Sequence, residues 1–441
     1  MRAIRKTGIS VILIQVFFTG CLSSGEMNKP APSTGLFIKN DPLSQAFDPS
    51  DSFMSRLLAK YPQYFDSVVQ VKDKFNVQII YTRIDRGKKT KDPAQFTEEH
   101  FNVDPDHYFY PASTVKLPVA ILALQKLHEL KIAGLDMNTT MITGSATDYQ
   151  TAVSNDPSAA DGRPSIAHYI KKILLVSDND AFNRLYEFLG QEYINNSLHR
   201  MGYTGIQIIH RLSISLTDEE NRFTNPVSFI DSNGKVVYSK PAEKSRLVYA
   251  ERNTRLGQGY MKGDQLVNEP FDFSKKNRMS LSDLTHILRS ILFPADVPKE
   301  QRFDLTKEDY DLLRRYMSMR PGESVSPVYP LPDYWDNYGK MLFYGTGKTN
   351  PEPGLRIFNK TGTAYGFLID AAYFADFNNN IEFMLSAEIY CNSDGIFNDD
   401  KYDYDQLGYP FLRNLGRVIY EYELKRQRKH PAELSAFRFT Y

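Results

Sequence analysis

The stretch YPASTVKLPVA, residues 110–120, places Ser113 and Lys116 where an apolar helix begins. The two residues are three apart, so on a helix their side chains lie on one face, within reach of each other. A neutral lysine amine beside a serine hydroxyl can take its proton, and burial or nearby positive charge lowers the pKa of a lysine toward that role. The pair predicts a nucleophile and its base, although an ordinary polar helix start has the same spacing.

Two later motifs carry related chemistry. The triplet SDN at 177–179 lies between two helical patterns, and alone it is typical of a turn with a helix cap. The triplet KTG at 360–362 lies on a predicted strand, where glycine lets a ligand or another backbone approach closely. All three motifs, in this order and on these elements, are a much stronger signal than any one of them.

Periodicity predicts an α/β (α+β) fold. Apolar residues recur at helical spacing at 166–175, 182–189, 281–292 and 410–425, and strand patterns lie at 77–84, 355–363, 368–374 and 381–390. Strands at both ends with helices between them predict one antiparallel sheet built from both chain ends and flanked by helices, with an all-helical lobe inserted. A site is expected at the seam.

Composition excludes several classes of function. The 441 residues carry 53 Lys and Arg against 53 Asp and Glu, a balance that does not favour nucleic acid as a partner. The eight histidines show no zinc-ligand spacing, so no metal or other cofactor is expected. GTGKT at 345–349 lacks the first glycine of a phosphate-binding loop, at Leu342.

With its three motifs, the chain resembles the penicillin-recognising serine hydrolases, most closely the class A β-lactamase-like branch, over about residues 53–425. The resemblance implies that Ser113 is the acylated nucleophile, Lys116 its general base and Ser177 the proton shuttle to the leaving nitrogen. It also implies an oxyanion hole formed by the backbone N–H groups of Ser113 and Thr363.

The same resemblance implies the groups that bind substrate. Asn179 is expected to bind the substrate side-chain amide. Lys360 and Thr361, followed by Gly362, are expected to hold the substrate carboxylate.

One loop departs from the family pattern. Class A enzymes carry a glutamate that activates the deacylating water, but aligning HRLSISLTDEE (210–220) by its arginine puts Leu216 near that position. Asp218, Glu219 and Glu220 follow shortly after and are candidates for the missing base.

A second departure is an insertion at 226–278. Asn233-Gly234 lies there between alternating apolar runs, which predicts a β-hairpin, expected beside the cleft.

The N-terminus resembles a bacterial lipoprotein signal. Residues 1–21 combine a basic start, an apolar run and small residues before Cys21, the expected lipidation site; an ordinary secretory signal is the alternative. Residues 22–48 have the composition of a flexible tether, 49–428 are assigned to the hydrolase domain and 429–441 to a C-terminal tail. The expected location is outside the cytoplasm, anchored to a bacterial membrane and facing the periplasm or cell exterior.

Together these features predict a serine hydrolase acylated on Ser113, with β-lactams as the leading substrate class and slow deacylation. One alternative is a D-alanyl-D-alanine peptidase or another hydrolase of cell-wall peptides or esters. A second is a non-catalytic penicillin-binding or sensing module, which would not need Ser113 and Lys116 together.

Overall fold

Strands from both ends of the chain form the main sheet of the computed structural model, which describes residues 52–89 and 92–441. The strands are β1 (Gln78–Asp85), β2 (Gln95–Phe101), β3 (Thr140–Thr143), β4 (Phe223–Thr224), β5 (Val227–Ile230), β6 (Val236–Lys240), β7 (Glu243–Lys244), β8 (Arg255–Leu256), β9 (Gly259–Lys262), β10 (Gln265–Val267), β11 (Phe271–Asp272), β12 (Leu355–Ala364), β13 (Phe367–Asp376), β14 (Ile381–Tyr390) and β15 (Ile396–Phe397). The main sheet has the order β12-β13-β14-β1-β2, antiparallel throughout. The predicted sheet is confirmed.

Helices cover both faces of this sheet. In the described residues they are α1 (Phe53–Ala59), α2 (Pro62–Val69), α3 (Lys116–Leu130), α4 (Ile166–Val176), α5 (Asn179–Leu189), α6 (Gln191–Arg200), α7 (Asp218–Arg222), α8 (Leu281–Leu292), α9 (Lys307–Ser318), α10 (Met341–Tyr344) and α11 (Tyr409–Lys425). Within these residues, no helix has the length and apolar character needed to span a bilayer.

The central strands separate two apolar cores. Ile369 and Tyr373 of β13 face the core built with α3, α5 and α8, whereas Leu368 and Phe374 face the core built with α1, α2 and α11. Successive side chains of a strand point to opposite faces, so a strand covered on both sides is mostly apolar. Every residue of β13 is buried, including the charged Asp370 and Asp376.

The lobe between β2 and β12 is mainly helical but contains short strands that periodicity does not predict. The hairpin at Asn233-Gly234 is confirmed: β5 pairs with β6, Gly234 has a φ of 81°, and β3 extends the pair to three strands. Two- to four-residue strands are too short to give a period-2 signal.

The last residues, 429–441, are part of the fold rather than a tail. Phe437 is 2% exposed, and its ring lies 4.7 Å from that of Tyr373 in the main sheet. Arg356 stacks over the ring of Tyr441 at 3.9 Å. The signal, the tether and Cys21 lie outside the described residues.

Candidate active site

Ser113 lies in a short 3₁₀ helix, Ala112–Val115, that runs directly into α3. The preceding Ala112 has a φ of 46°, a left-handed conformation that costs about 1–3 kcal/mol outside glycine and is concentrated at functional sites. Thr114 holds the turn by donating its N–H and hydroxyl to the Pro111 carbonyl, at 3.0 and 2.6 Å. The Ser113 hydroxyl is partly exposed and has no hydrogen bond to any other described residue.

Lys116 begins α3 and is fully buried. Its ammonium donates to Asn179 Oδ1 at 2.7 Å, to Ser177 Oγ at 3.2 Å and to the Ser177 carbonyl. Burial, reinforced by the charge of Lys360, lowers the pKa of Lys116 well below its usual value. The neutral amine that a general base requires is therefore favoured at this position.

The triplet at 177–179 joins α4 to α5. Ser177 has a φ of 60° at the end of α4, and the Asp178 carboxylate caps α5 by accepting from the Ala181 N–H at 2.8 Å. This turn presents the Ser177 hydroxyl to two lysines, because Lys360 Nζ also donates to Ser177 Oγ, at 2.8 Å. The amino groups of two lysines thus converge on one hydroxyl.

Strand β12 forms the opposite wall and is an edge of the main sheet. Burial lowers the pKa of Lys360 to about 7. A Cβ on Gly362 would lie 2.6 Å from the Pro111 carbonyl oxygen, so only glycine lets the strand approach the turn that carries Ser113. Thr363 follows, paired with Leu368 of β13, and Thr361 lines a small pocket together with Ser177.

The three candidate deacylation carboxylates bond elsewhere. Asp218 lies 3.5 Å from Arg222, Glu219 pairs with Lys244 at 2.7 Å, and Glu220 accepts from the Thr217 N–H in a helix cap. None of them has a hydrogen bond or ion pair to the residues bonded to Lys116. The bond from Lys244 lowers the pKa of Glu219, and the Thr217 N–H lowers that of Glu220, which makes both weaker bases. Their assignment stays a prediction without a supporting contact.

The loop carrying them is held by a row of polar side chains on α5, which we call the α5 ladder: Asn179, Asn183 and Glu187. Asn179 Nδ2 donates to Ser213 Oγ at 2.8 Å, and Asn183 exchanges two bonds with the Leu212 backbone, at 3.0 and 2.9 Å. Glu187 binds the Arg211 guanidinium at 2.5 and 2.9 Å, with both side chains 3% exposed.

Sequence reasoning missed two of these three ladder residues. Their four-residue spacing, which places all three on one face of α5, is the signal that could have revealed them. The ladder also shows which loop residue bonds to the cluster around Lys116. That residue is Ser213, a hydroxyl rather than a carboxylate.

The second half of the insertion packs beside the site. Phe273 lies 5.9 Å from Tyr110 and 5.6 Å from Tyr365, the residues that flank the Ser113 turn and the end of β12 (distances between ring centroids). Phe397, which pairs with β9 through β15, completes this aromatic cluster 5.1 Å from Phe273. These contacts place the second half of the insertion beside the Ser113 turn, and the position of the Asn233-Gly234 hairpin beside the cleft stays a prediction.

A family model described as "Beta-lactamase enzyme family" matches residues 90–422. Similar solved structures include a class A beta-lactamase from Clostridium kluyveri (15% identity, 82% of this chain and 98% of that chain, TM-score 0.45). A beta-lactamase from Sphaerobacter thermophilus is also similar (12% identity, 84% and 97%, TM-score 0.44). No curated protein sequence matches the chain.

Proposed function

The chain belongs to the beta-lactamase enzyme family, and we propose that it is a serine hydrolase that β-lactams acylate on Ser113. The observation that carries the proposal is the convergence of Lys116 and Lys360 on the Ser177 hydroxyl, beside the turn that presents Ser113. A protein that only binds penicillin non-covalently has no use for a buried lysine with a depressed pKa next to a serine.

Acylation follows from the proposed roles. Ser113 Oγ attacks the lactam carbonyl while Lys116 takes its proton, and the amide N–H groups of Ser113 and Thr363 stabilise the oxyanion. As the carbon–nitrogen bond breaks, Ser177 passes a proton to the leaving nitrogen. Lys360 and Thr361 hold the substrate carboxylate throughout, and Asn179 binds the side-chain amide.

Deacylation is proposed to be slow. Hydrolysis of the ester needs a water activated by a second base, and such help is worth about 10²–10⁴ in rate. The carboxylates at 218–220 bond to Thr217, Arg222 and Lys244, so this factor has no evident source there. This observation also favours a second candidate, a D-alanyl-D-alanine peptidase, which uses the same acylation with different deacylation.

Intact-mass spectrometry after mixing with excess penicillin tests the proposal. We expect an adduct of the mass of the drug that lasts minutes or longer, with slow turnover of a chromogenic cephalosporin. Release of D-alanine from a D-alanyl-D-alanine peptide would identify the peptidase. No adduct and no turnover of any of these substrates would refute acylation.

We also propose export and membrane anchoring through Cys21. A lipid chain anchors by burying its methylenes in the bilayer. Cys21→Ser is expected to release the protein from membranes while activity is retained, and membrane association that persists would indicate another anchor.

A further inference from the structure

A second buried lysine lies behind the site and has no part in the proposed acylation. Lys340 precedes α10, and its ammonium donates to Asn359 Oδ1 at 2.6 Å and to the Met317 carbonyl at 2.5 Å. Lys340 is 7% exposed. A buried cation is costly unless another charge compensates it.

The compensating charge is reached through Asn359. Its Nδ2 donates to Asp370 Oδ1 at 2.8 Å and to the Gly339 carbonyl at 2.7 Å. The other oxygen of Asp370 accepts the Leu342 N–H at 3.0 Å. Lys340, Asn359 and Asp370 therefore form one hydrogen-bonded chain in the protein interior.

This chain adjoins the carboxylate-binding end of the site. Asn359 directly precedes Lys360 on β12, and Asp370 lies opposite Thr361 on β13. Lys340, Lys360 and Ser177 line the same small pocket. The charge of Asp370 thus acts on two buried lysines: Lys340 through the Asn359 bridge, and Lys360 from the position opposite its neighbour Thr361.

The charges act on Lys360 in opposite directions. After burial, the largest influence on its pKa is Asp370, which raises it, followed by Lys340, which lowers it. Burial also brings the pKa of Lys340 to about 7 and raises that of Asp370 to about 6.

The remaining charged groups lie on other elements. Arg356, Glu323 and Arg320 act on Lys340, and on the opposite side of the site Lys116 faces Lys360. Glu323 and Arg356 bond to each other at 2.7 Å, so they largely offset one another.

We propose that Asp370 and Lys340 are positioning residues that set the protonation of Lys360. The Asp370 carboxylate stabilises the protonated form of Lys360, and the charge of Lys340 destabilises it. Binding of a substrate carboxylate is then lost as pH rises past neutrality, because Lys360 gives up its charge. This inference rests on the proposed role of Lys360.

The test is the pH profile of labelling by a fluorescent penicillin, measured as a second-order rate constant on the full chain. Lys340→Gln removes the competing charge. The alkaline limb of the profile, where labelling is lost as Lys360 deprotonates, should move to higher pH by about half a unit or more. Lys340→Arg keeps a permanent charge and should move it down, as should Asp370→Asn. Opposite shifts are a result that a merely structural role does not give.

A matched control is Lys240→Gln. Lys240 is equally buried, bonded to Thr224 and paired with Glu243 in the insertion, and its loss should leave the limb in place. Three results would overturn the proposal. The alkaline limb of the pH profile does not move in any folded variant, it moves in the same direction in all of them, or it moves as far in the control as in the variants.

A second measurement does not depend on reactivity. Titration of the Lys360 side chain by NMR, with its signal assigned through Lys360→Arg, should show the same order of pKa values: Lys340→Gln highest, then the unmodified chain, then Asp370→Asn. This readout still decides the inference if penicillin does not react or if one Lys340 variant fails to fold. An unchanged Lys360 titration in the folded variants refutes it.

Discussion

The two sides of this site are built differently. On one side, Lys116, Ser177, Asn179 and Lys360 come from three segments and bond to one another through partly buried hydrogen bonds. On the other side, the carboxylates at 218–220 bond only to neighbouring loop and insertion residues. The loop reaches the first group through the bond between Ser213 and Asn179, so changes at its carboxylates should leave the residues proposed for acylation in place.

The largest effect should come from Ser113→Ala. The variant removes the attacking oxygen but no hydrogen bond, so covalent labelling should vanish while the melting temperature stays the same. Intact-mass spectrometry and thermal unfolding measure both. The matched control on the loop side, Ser213→Ala, should still be acylated, and an adduct on folded Ser113→Ala would place the nucleophile elsewhere.

Next in size is Glu187→Gln, which tests the ladder. It leaves the Arg211 charge buried and uncompensated, and such losses cost about 3–5 kcal/mol of unfolding free energy. Denaturant unfolding gives the value, and protein that remains folded should still be labelled. Asp311→Asn breaks an exposed ion pair with Lys307 and should cost less than about 1 kcal/mol. Equal costs for the two variants would mean that the ladder does not anchor the loop.

Lys360→Ala should have an intermediate effect that depends on the substrate. Hydrogen bonds to charged groups are worth about 1.5–3 kcal/mol, so acylation by penicillins should fall by about 10- to 100-fold. Neutral esters lack the carboxylate and should lose much less. Comparison of the two rate constants measures this, and equal losses would assign Lys360 a general catalytic role.

The smallest effects should come from Glu219→Gln and Glu220→Gln. Both carboxylates are engaged by surface partners, so the lifetime of the acyl-enzyme should change by less than about twofold. Time-resolved mass spectrometry follows the adduct. Fast turnover that either change abolishes would show that the acidic cluster supplies the second base, and the contrast between the two sides would disappear.

Much of this fold could be predicted because its central elements have strong local signals. The bounds of α8 agree with the predicted helix, and β14 with the predicted strand, since their apolar periods are uninterrupted. Strand β2, with the sequence QFTEEHF, was missed because an edge strand carries charged residues and no clear alternation.

The site could be predicted only as far as its motifs extend. Ser113, Lys116, Ser177 and Lys360 belong to short, recognisable patterns, and the bonds of both lysines to Ser177 agree with one site. Lys340 has no such pattern, because it lies in an irregular segment and its partners are set by tertiary packing. The loop bonds of Asn183 and Glu187 depend on contacts with residues about 25 to 30 positions away.

The pairing of β1 with β14 bears on the order in which the parts of the protein fold. Gln78 bonds to Glu388 across 310 residues, so the sheet closes only after nearly the whole chain is available. Pairings this distant in sequence form slowly, because a long loop must lose its freedom before the contact stabilises it. The helical lobe, rich in local contacts, is therefore expected to fold first. Strand β12 lies against the Ser113 turn as the edge strand of that sheet. Covalent labelling by penicillin would therefore detect only chains that have completed folding.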